Sequence, residues 1–444
     1  MADRQDPISS PLPRLKPGTC CYRINSGSTS PCLDGEGRIW QADQLYLMQD
    51  VVEVAPPKSG EWWTLCANIA VREARLPRYP ETLSALLGTE CVNVRASHFA
   101  LPEGVYTVTL IVAETFESLG SFDRSFRIAF NDRARPETIH PFKVAGGFAR
   151  AGSVTFTGVP VGRAGLRIDF LGDRANLFGL EIHVDQPDAA PEIRQESLAP
   201  YCPPAPPPPR PEARQLRFFF IGHSGLFFWA IPETVIRMLA FGHPEWSIAH
   251  DNYFAGGKDV AFYAQSPEVE TQLQTGNYDY AVIMDSSWGP IEHRPIFESE
   301  MPRLIDRVRD AGAKPILYAY NGPKRFTIEQ RASLQDAYDR LGEREQIPVI
   351  PCAAALNRAL EKWPNENFHN PDRHHVGMLT GYLFACTWYR ALAGESAANL
   401  PEQALLNGHV RMPEPWGTEL AAIADATSCE RGLGMNPKQG LLSE

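Results

Sequence analysis

The sequence predicts a multidomain chain of two unlike halves, an antiparallel β-sandwich followed by a doubly wound α/β/α layer fold. Three observations predict it: a proline run near the middle, short alternating segments before it, and apolar strands alternating with amphipathic helices after it. Between Pro200 and Pro211 eight of twelve residues are proline. Proline lacks the amide donor that helix and sheet need and fixes φ, so this stretch reads as an extended spacer between folded units. The expected layout is an N-terminal extension over 1–18, the sandwich over 19–190, the linker over 191–214, the α/β unit over 215–395 and an annex over 396–444.

The sandwich is read from Val105–Ala113 (VYTVTLIVA), Phe126–Phe130 (FRIAF, ending at the turn pair Asn131-Asp132), Ser153–Thr157, Leu166–Phe170 and Leu177–Val184. Short β-branched segments between Gly, Pro and Asn turns are the pattern of packed antiparallel sheets. In the second half Leu216–Ile221, Tyr278–Met284, Lys314–Tyr320 and Ile347–Ile350 read as buried strands. Helical spacing follows each: Pro232–Phe241, Pro302–Ala311, Thr327–Glu345 with its capping box TIEQ, Ala353–Lys362 and Thr380–Leu392. Strands that are apolar throughout belong to a parallel sheet covered on both faces. The tail after Glu395 has weak periodicity.

Composition excludes several functions. Of 444 residues 43% are hydrophobic and 21% charged, which is enough apolar material to fold. With 53 acidic against 42 basic residues the net charge is −11, so nucleic acid is not an expected partner. The richest apolar stretch, Leu216–Ile231, is interrupted by Gly222, His223, Ser224 and Gly225, so no membrane span is expected. The opening MADRQDPISS lacks an apolar core behind its charges, so no secretory signal is read and the cytoplasm is the default location. Nine cysteines, five of them within the first 91 residues, are read either as reduced thiols or as an N-terminal disulfide framework. No pair of CxxC elements occurs with a matching His set, so neither metal nor organic cofactor is expected.

Ser224 stands between a buried strand and a helix in FFFIGHSGLFF. Reacting groups in open α/β sheets collect at the carboxyl ends of the strands, and helix N-terminal amides suit an oxyanion. Late in the unit, NPDRHHVG places His375 three residues after Asp372, with His374 as a neighbouring competitor. A serine nucleophile needs such an imidazole to accept its proton, and a carboxylate to hold the useful tautomer. Each element alone is also consistent with an N-cap serine and a polar loop.

In this order the features of Leu216–Gly394 resemble the SGNH (GDSL-like) hydrolases. IGHS stands where the family often has GDS or GNS; AGGKDV, Ala255–Val260, resembles the glycine block; YDYAVIMDSS, Tyr278–Ser287, resembles the third block; DRHH resembles the late DxxH. The resemblance implies Ser224, Asp372 and His375 as the triad. It implies an oxyanion hole from the amides of Ser224 and of Gly256 or Gly257. The family's third-block asparagine is missing here, and Ser286, Ser287 or Asn321 would have to replace it.

The N-terminal half resembles malectin-type domains through CYRINSG (Cys21–Gly27), IWQADQLY (Ile39–Tyr46), GVYTVTLIVAETF (Gly104–Phe116), RSFRIAFND and GLRIDFLGDRANLFGLEIHV. This implies a jelly-roll-type β-sandwich that binds carbohydrate, with Phe116 and Glu114 as the first candidates and Tyr46, Trp62 and Trp63 as further ones. Such modules are more often met outside the cytoplasm, which leaves localisation open. The expected function is a serine esterase removing acyl groups, acetyl first, from a carbohydrate. A non-catalytic glycan-binding protein with a degenerate hydrolase fold stays open, as does a lipase or thioesterase suggested by the aromatic flanks of Ser224.

Overall fold

A computed structural model describes residues 17–28, 31–34, 36–47, 62–71, 88–115, 124–147, 150–172, 175–186, 206–370, 373–401, 404–407, 410–412, 415–431 and 440–442. It is a mixed α/β chain of several sheets. The N-terminal strands are β1 (Cys20–Asn25), β2 (Cys32–Leu33), β3 (Ile39–Ala42), β4 (Leu45–Leu47), β5 (Trp62–Val71), β6 (Thr89–Phe99), β7 (Gly104–Ala113), β8 (Arg127–Phe130), β9 (Arg133–Ala134), β10 (Ala151–Val161), β11 (Leu166–Leu171) and β12 (Gly179–Gln186), with a short helix α1 (Pro141–Ala145) before β10.

These strands form two sheets, ordered β10-β7-β12-β1-β3-β2 and β4-β5-β6-β11-β8-β9. Neighbours are antiparallel except for the β1–β3 and β4–β5 pairs, which run parallel. Alternate residues of both sheets meet in one core. Tyr22 of the first sheet packs edge-on against Trp62 of the second at 5.7 Å and lies 5.0 Å from Phe99. The expected strands are found, and β5 and β6 join them. Their sequences, WWTLCANIAV and TECVNVRASHF, mix small and polar residues and carry no clean alternation.

The second half is built on a parallel sheet of β13 (Arg214–Gly222), β14 (Trp246–Phe254), β15 (Tyr280–Ile283), β16 (Lys314–Tyr318) and β17 (Val349–Ile350), with a small antiparallel pair, β18 (Leu406–Asn407) and β19 (Val410–Arg411), in the tail. The spatial order of the parallel sheet is β14-β13-β15-β16-β17, so the winding reverses between β13 and β15. The period-2 rule splits the central strand cleanly. Phe218 and Phe220 point into a core shared with α3 (Ile231–Gly242), α9 (Cys352–Lys362) and α10 (Met378–Ala393). Phe219 and Ile221 point to the opposite core, with α4 (Val260–Gln265), α5 (Pro267–Gly276), α7 (Arg294–Asp310) and α8 (Ile328–Glu345). The short helices α2 (Ser224–Phe227) and α6 (Gly289–Glu292) follow β13 and β15.

Several details differ from the sequence expectation. β14 was hidden because WSIAHDNYF is a half-exposed edge strand with polar residues on it. α7 starts at Arg294, eight residues before the expected Pro302, and runs through that proline. In the tail, α11 (Trp416–Glu430) packs on α10 and α9, and the amides of Leu441 and Leu442 bond the carbonyls of Ala391 and Leu392. The first half of the proline run, up to residue 205, lies outside the described residues, and 206–213 has neither helix nor strand before β13 begins. β5 lies against α2, and one continuous apolar cluster runs from the N-terminal sheets into the α/β half. The eight described cysteines are free thiols, five of them buried. Among the described residues no helix is long and apolar enough to cross a membrane.

Phe220 is fully buried and stacks on Phe218 while touching Trp388 of α10. Phe220→Ala is expected to cost about 3–5 kcal/mol, read as a lowered midpoint in urea unfolding.

Candidate functional site

The site lies where the sheet order reverses, at the carboxyl ends of β13 and β15, the position where open α/β sheets leave a crevice. Two glycines let the chain turn there. A Cβ on Gly222 would stand 2.6 Å from Met284 Cγ, and one on Gly225 would stand 2.8 Å from Met284 Cε and from the Tyr320 ring. Side chains are excluded at both positions, and the turn closes tightly enough to start α2 at Ser224.

Ser224 Oγ lies 2.8 Å from His375 Nε2, across 151 residues of sequence. His223 Nδ1 also approaches Ser224 Oγ, at 3.4 Å. Geometry and charge separate the two imidazoles. His223 Nδ1 already accepts the Gly225 amide at 3.1 Å, so its proton sits on Nε2 and is donated to the Asp285 carbonyl at 3.0 Å. Burial, with further help from the nearby His374 and His375, pushes the pKa of His223 down to about 3. A neutral ring with its lone pair engaged is a poor proton acceptor. His375 is therefore the base available to Ser224. Asp372 lies outside the described residues.

The loop that carries His375 is fixed from several sides. His369 and Val376 bridge as an antiparallel pair, and the Asn370 amide donates to the His375 carbonyl at 2.9 Å. Phe228 sets its ring 4.0 Å from the imidazole of His375. Trp229, 1% exposed, donates its indole N–H to the Val376 carbonyl at 3.1 Å. Trp229 and Ala230 are consecutive non-glycine residues in the left-handed region, with φ of 62° and 46°. Such residues cost of order 1–3 kcal/mol each and persist only where the surroundings enforce them. Here they turn the chain so that the indole reaches under the base. Sequence reasoning took Phe228 and Trp229, among the aromatic flanks of Ser224, for core or an acyl pocket, and not for a support of the loop that carries His375.

The oxyanion candidates sort differently. Ser224 N–H is at the first position of α2, where an amide has no intrahelical acceptor. Gly256 and Gly257 form the turn between β14 and α4, beside the nucleophile strand, because the Ala255 amide bonds the Gly222 carbonyl at 3.0 Å. Gly257 sits at φ 71°, which its lack of a side chain permits. Ser286 is buried, and among the described residues its hydroxyl has no hydrogen-bond partner. It follows Asp285, whose carbonyl His223 holds and whose carboxylate accepts the amides of Val260 and Ser286 at 2.8 and 2.7 Å. Burial raises the Asp285 pKa to about 6. Asn321 is fully buried, and its amide nitrogen donates to the Gly322 carbonyl at 2.8 Å and lies 3.4 Å from His369 Nε2, so it is engaged within its own loop.

The carbohydrate candidates are corrected. Trp62 and Trp63 are each only 3% exposed, Trp62 against Tyr22 and Trp63 stacked on His98, so neither offers a face to a sugar. Glu114 is fully buried and forms an ion pair with Arg124 at 3.1 Å, a structural role. Phe116 and the side chain of Tyr46 lie outside the described residues.

No protein-family model matches the chain, and no curated protein does. Among solved structures, a DUF4886 family protein from Bacteroides uniformis ATCC 8492 is similar over 48% of this chain and 95% of that one, at 14% identity and TM-score 0.39. A provisionally assigned SGNH hydrolase from Slackia heliotrinireducens is similar over 39% of this chain and 96% of that one, at 15% identity and TM-score 0.34. A Bacteroides uniformis β-glucuronidase shares 20% identity over 37% of this chain at TM-score 0.30, and the chain spans only 18% of its length. All three likenesses fall below a TM-score of 0.5, so what the site can do follows from its own geometry.

Two predictions follow from that geometry. Trp229→Phe keeps an apolar ring but leaves the Val376 carbonyl without its donor, and is expected to lower stability by about 1–3 kcal/mol in urea unfolding. His223 has a folded pKa below its unfolded value, so the unfolded chain binds more protons between the two. Its contribution is complete above about pH 6.5 and is lost as pH falls toward about 3. His223→Asn should therefore flatten this acid-side decline in a series of urea midpoints across that window.

Proposed function

We propose that this chain is a serine ester hydrolase with Ser224 as nucleophile and His375 as general base. The observation that carries the reading is the 2.8 Å approach of Ser224 Oγ to His375 Nε2 at the sheet's switch point. Ser224 Oγ attacks the ester carbonyl carbon as His375 takes its proton. The tetrahedral oxyanion is held by the Ser224 amide, a Gly256 or Gly257 amide and the Ser286 hydroxyl. The ester C–O bond then breaks, and His375 returns the proton to the leaving alcohol. Water, deprotonated by His375, releases the acyl group and restores the serine. Asp372 is assigned to orient His375 and to stabilise its charged form, following the DxxH resemblance.

Acylated carbohydrate is the proposed substrate, with acetyl as the acyl group. Support comes from the SGNH-like order of blocks together with the malectin-type resemblance of the N-terminal half, whose β5 stands beside α2. Glycan contact is then assigned to loop residues such as Phe116, and not to the buried Trp62, Trp63 and Glu114. A long-acyl substrate finds less support, because Phe218–Phe220 and Phe227–Trp229 are 0–2% exposed and belong to the core.

Turnover of p-nitrophenyl acetate and release of acetate from acetylated oligosaccharides test the reading. Acetyl esters should be preferred over long-chain esters, and Ser224→Ala should abolish both activities. Preference for long acyl chains would replace the carbohydrate reading with the lipase one, and absence of any hydrolysis by folded protein would leave the glycan-binding reading. His375→Ala is expected to lower kcat/KM by roughly 10²–10⁴-fold. Ser286→Ala should lower kcat by up to roughly 10²–10³-fold with little change in KM, the pattern of a donor that acts in the transition state.

A further inference from the structure

On the outer face of the first sheet, away from Ser224, three metal-ligating side chains converge. Ligand atoms of Cys20, Glu181 and His183 all lie within 4.8 Å of one another, and each residue is partly open to solvent. The strand register explains the meeting. β1 and β12 pair antiparallel with Cys20 opposite His183 and Arg23 opposite Glu181, and the register shifts between Cys20 and Tyr22. Cys21 is the extra residue of a bulge. In an unbroken strand Cys20 and Arg23 would face opposite sides; the bulge turns both onto the face of Glu181 and His183. Bulges recur where a strand must re-aim a side chain at a functional site.

The surroundings of the three side chains are those of held ligands. His183 Nδ1 lies 3.4 Å from the Gly18 carbonyl, and Gly18 is itself fixed by its amide on the Val184 carbonyl at 2.7 Å. Nδ1 faces that carbonyl as a donor, and Nε2, 3.7 Å from Glu181 Oε1, faces the cluster. Cys20 and Glu181 raise the pKa of the ring to about 10, so a bound ion displaces a proton from Nε2. Metal-bound imidazoles almost always donate their other nitrogen to a carbonyl or carboxylate in this way, and ligating carboxylates are similarly tethered. Arg23 Nε tethers Glu181 at Oε1, the oxygen that also faces His183 Nε2. Tetrahedral zinc with sulfur at about 2.3 Å and nitrogen or oxygen at about 2.0–2.2 Å sets ligand atoms roughly 3.3–3.7 Å apart.

We propose that Cys20, Glu181 and His183 bind a divalent, borderline-soft transition metal ion, zinc by its donor set. The thiolate and imidazole favour zinc over calcium or magnesium, which take oxygen ligands. Three protein ligands leave the fourth position to water or an outside donor. The ion would clasp the first strand of the N-terminal sheets to the last. This site is independent of the hydrolase reading. It also escaped sequence reasoning, which looks for closely spaced ligands, whereas these come from the two ends of the N-terminal half.

Chelator-stripped full-length protein titrated with Co²⁺ provides the test. The expected result is one equivalent bound, with thiolate-to-cobalt charge-transfer absorption that Zn²⁺ abolishes. Cys20→Ser should remove that absorption and His183→Gln should weaken binding by roughly 100-fold or more, beyond the 10–100-fold loss typical of outer partners. Cys32→Ser, which alters another partly exposed thiol, should leave it intact. Alkylation of Cys20, mapped by mass, should be slowed by Zn²⁺ in the unaltered protein, a readout that needs no variant to fold. Absence of the thiolate band in the unaltered protein, its persistence in Cys20→Ser, or alkylation unaffected by Zn²⁺ would overturn the proposal and leave a plain ionic cluster.

Discussion

The candidate site depends on one buried imidazole. His223 joins the ends of β13 and β15, accepting the Gly225 amide on Nδ1 and donating from Nε2 to the Asp285 carbonyl. The first bond requires the neutral ring, and burial enforces that state. A charged His223 would lose the first bond and introduce an unpaired cation into a dry site. The same bonds decide the chemistry of the pair of imidazoles near Ser224. They occupy the nearer ring in chain order, while the more distant one, His375, sets its Nε2 2.8 Å from Ser224 Oγ. His223 thus caps the turn and also ties it to the chain at the end of β15.

Packing around the base is the second constraint. The helix that follows Ser224 is only four residues long, and the chain leaves it through two left-handed residues. That departure is unfavourable locally. Its return is the placement of Phe228 against the ring of His375 and of Trp229 under the Val376 carbonyl. Ser224 and His375 therefore come from distant parts of the chain but rest on one short aromatic segment. β5 of the N-terminal sheets stands on the other side of α2, so the two halves meet close to the reacting groups.

Much of this architecture was legible because the physics is local in sequence. Apolar strands with turn residues at their ends, the capping box at Thr327 and the proline run required no knowledge of tertiary contacts. Ser224 and His375 were legible through their places at strand ends and the order of motifs around them. β14 was not, since an edge strand has no need of an apolar run. The engagement of the Asn321 amide with Gly322 and His369 was not legible either, since it is a tertiary contact. Trp62, Trp63 and Glu114 failed as sugar contacts for a related reason. Aromatic and acidic residues look alike in sequence whether they face solvent or, as here, fill a core and pair with Arg124. The role of His223 was hidden behind its more visible neighbour.

The central claim is that Ser224 is an activated nucleophile, and intact-mass analysis after reaction with a fluorophosphonate tests it most directly. The geometry predicts a single adduct on the unaltered protein, mapping to Ser224 and missing from Ser224→Ala. Folded protein that takes up no probe, or an adduct that survives in Ser224→Ala, would contradict it.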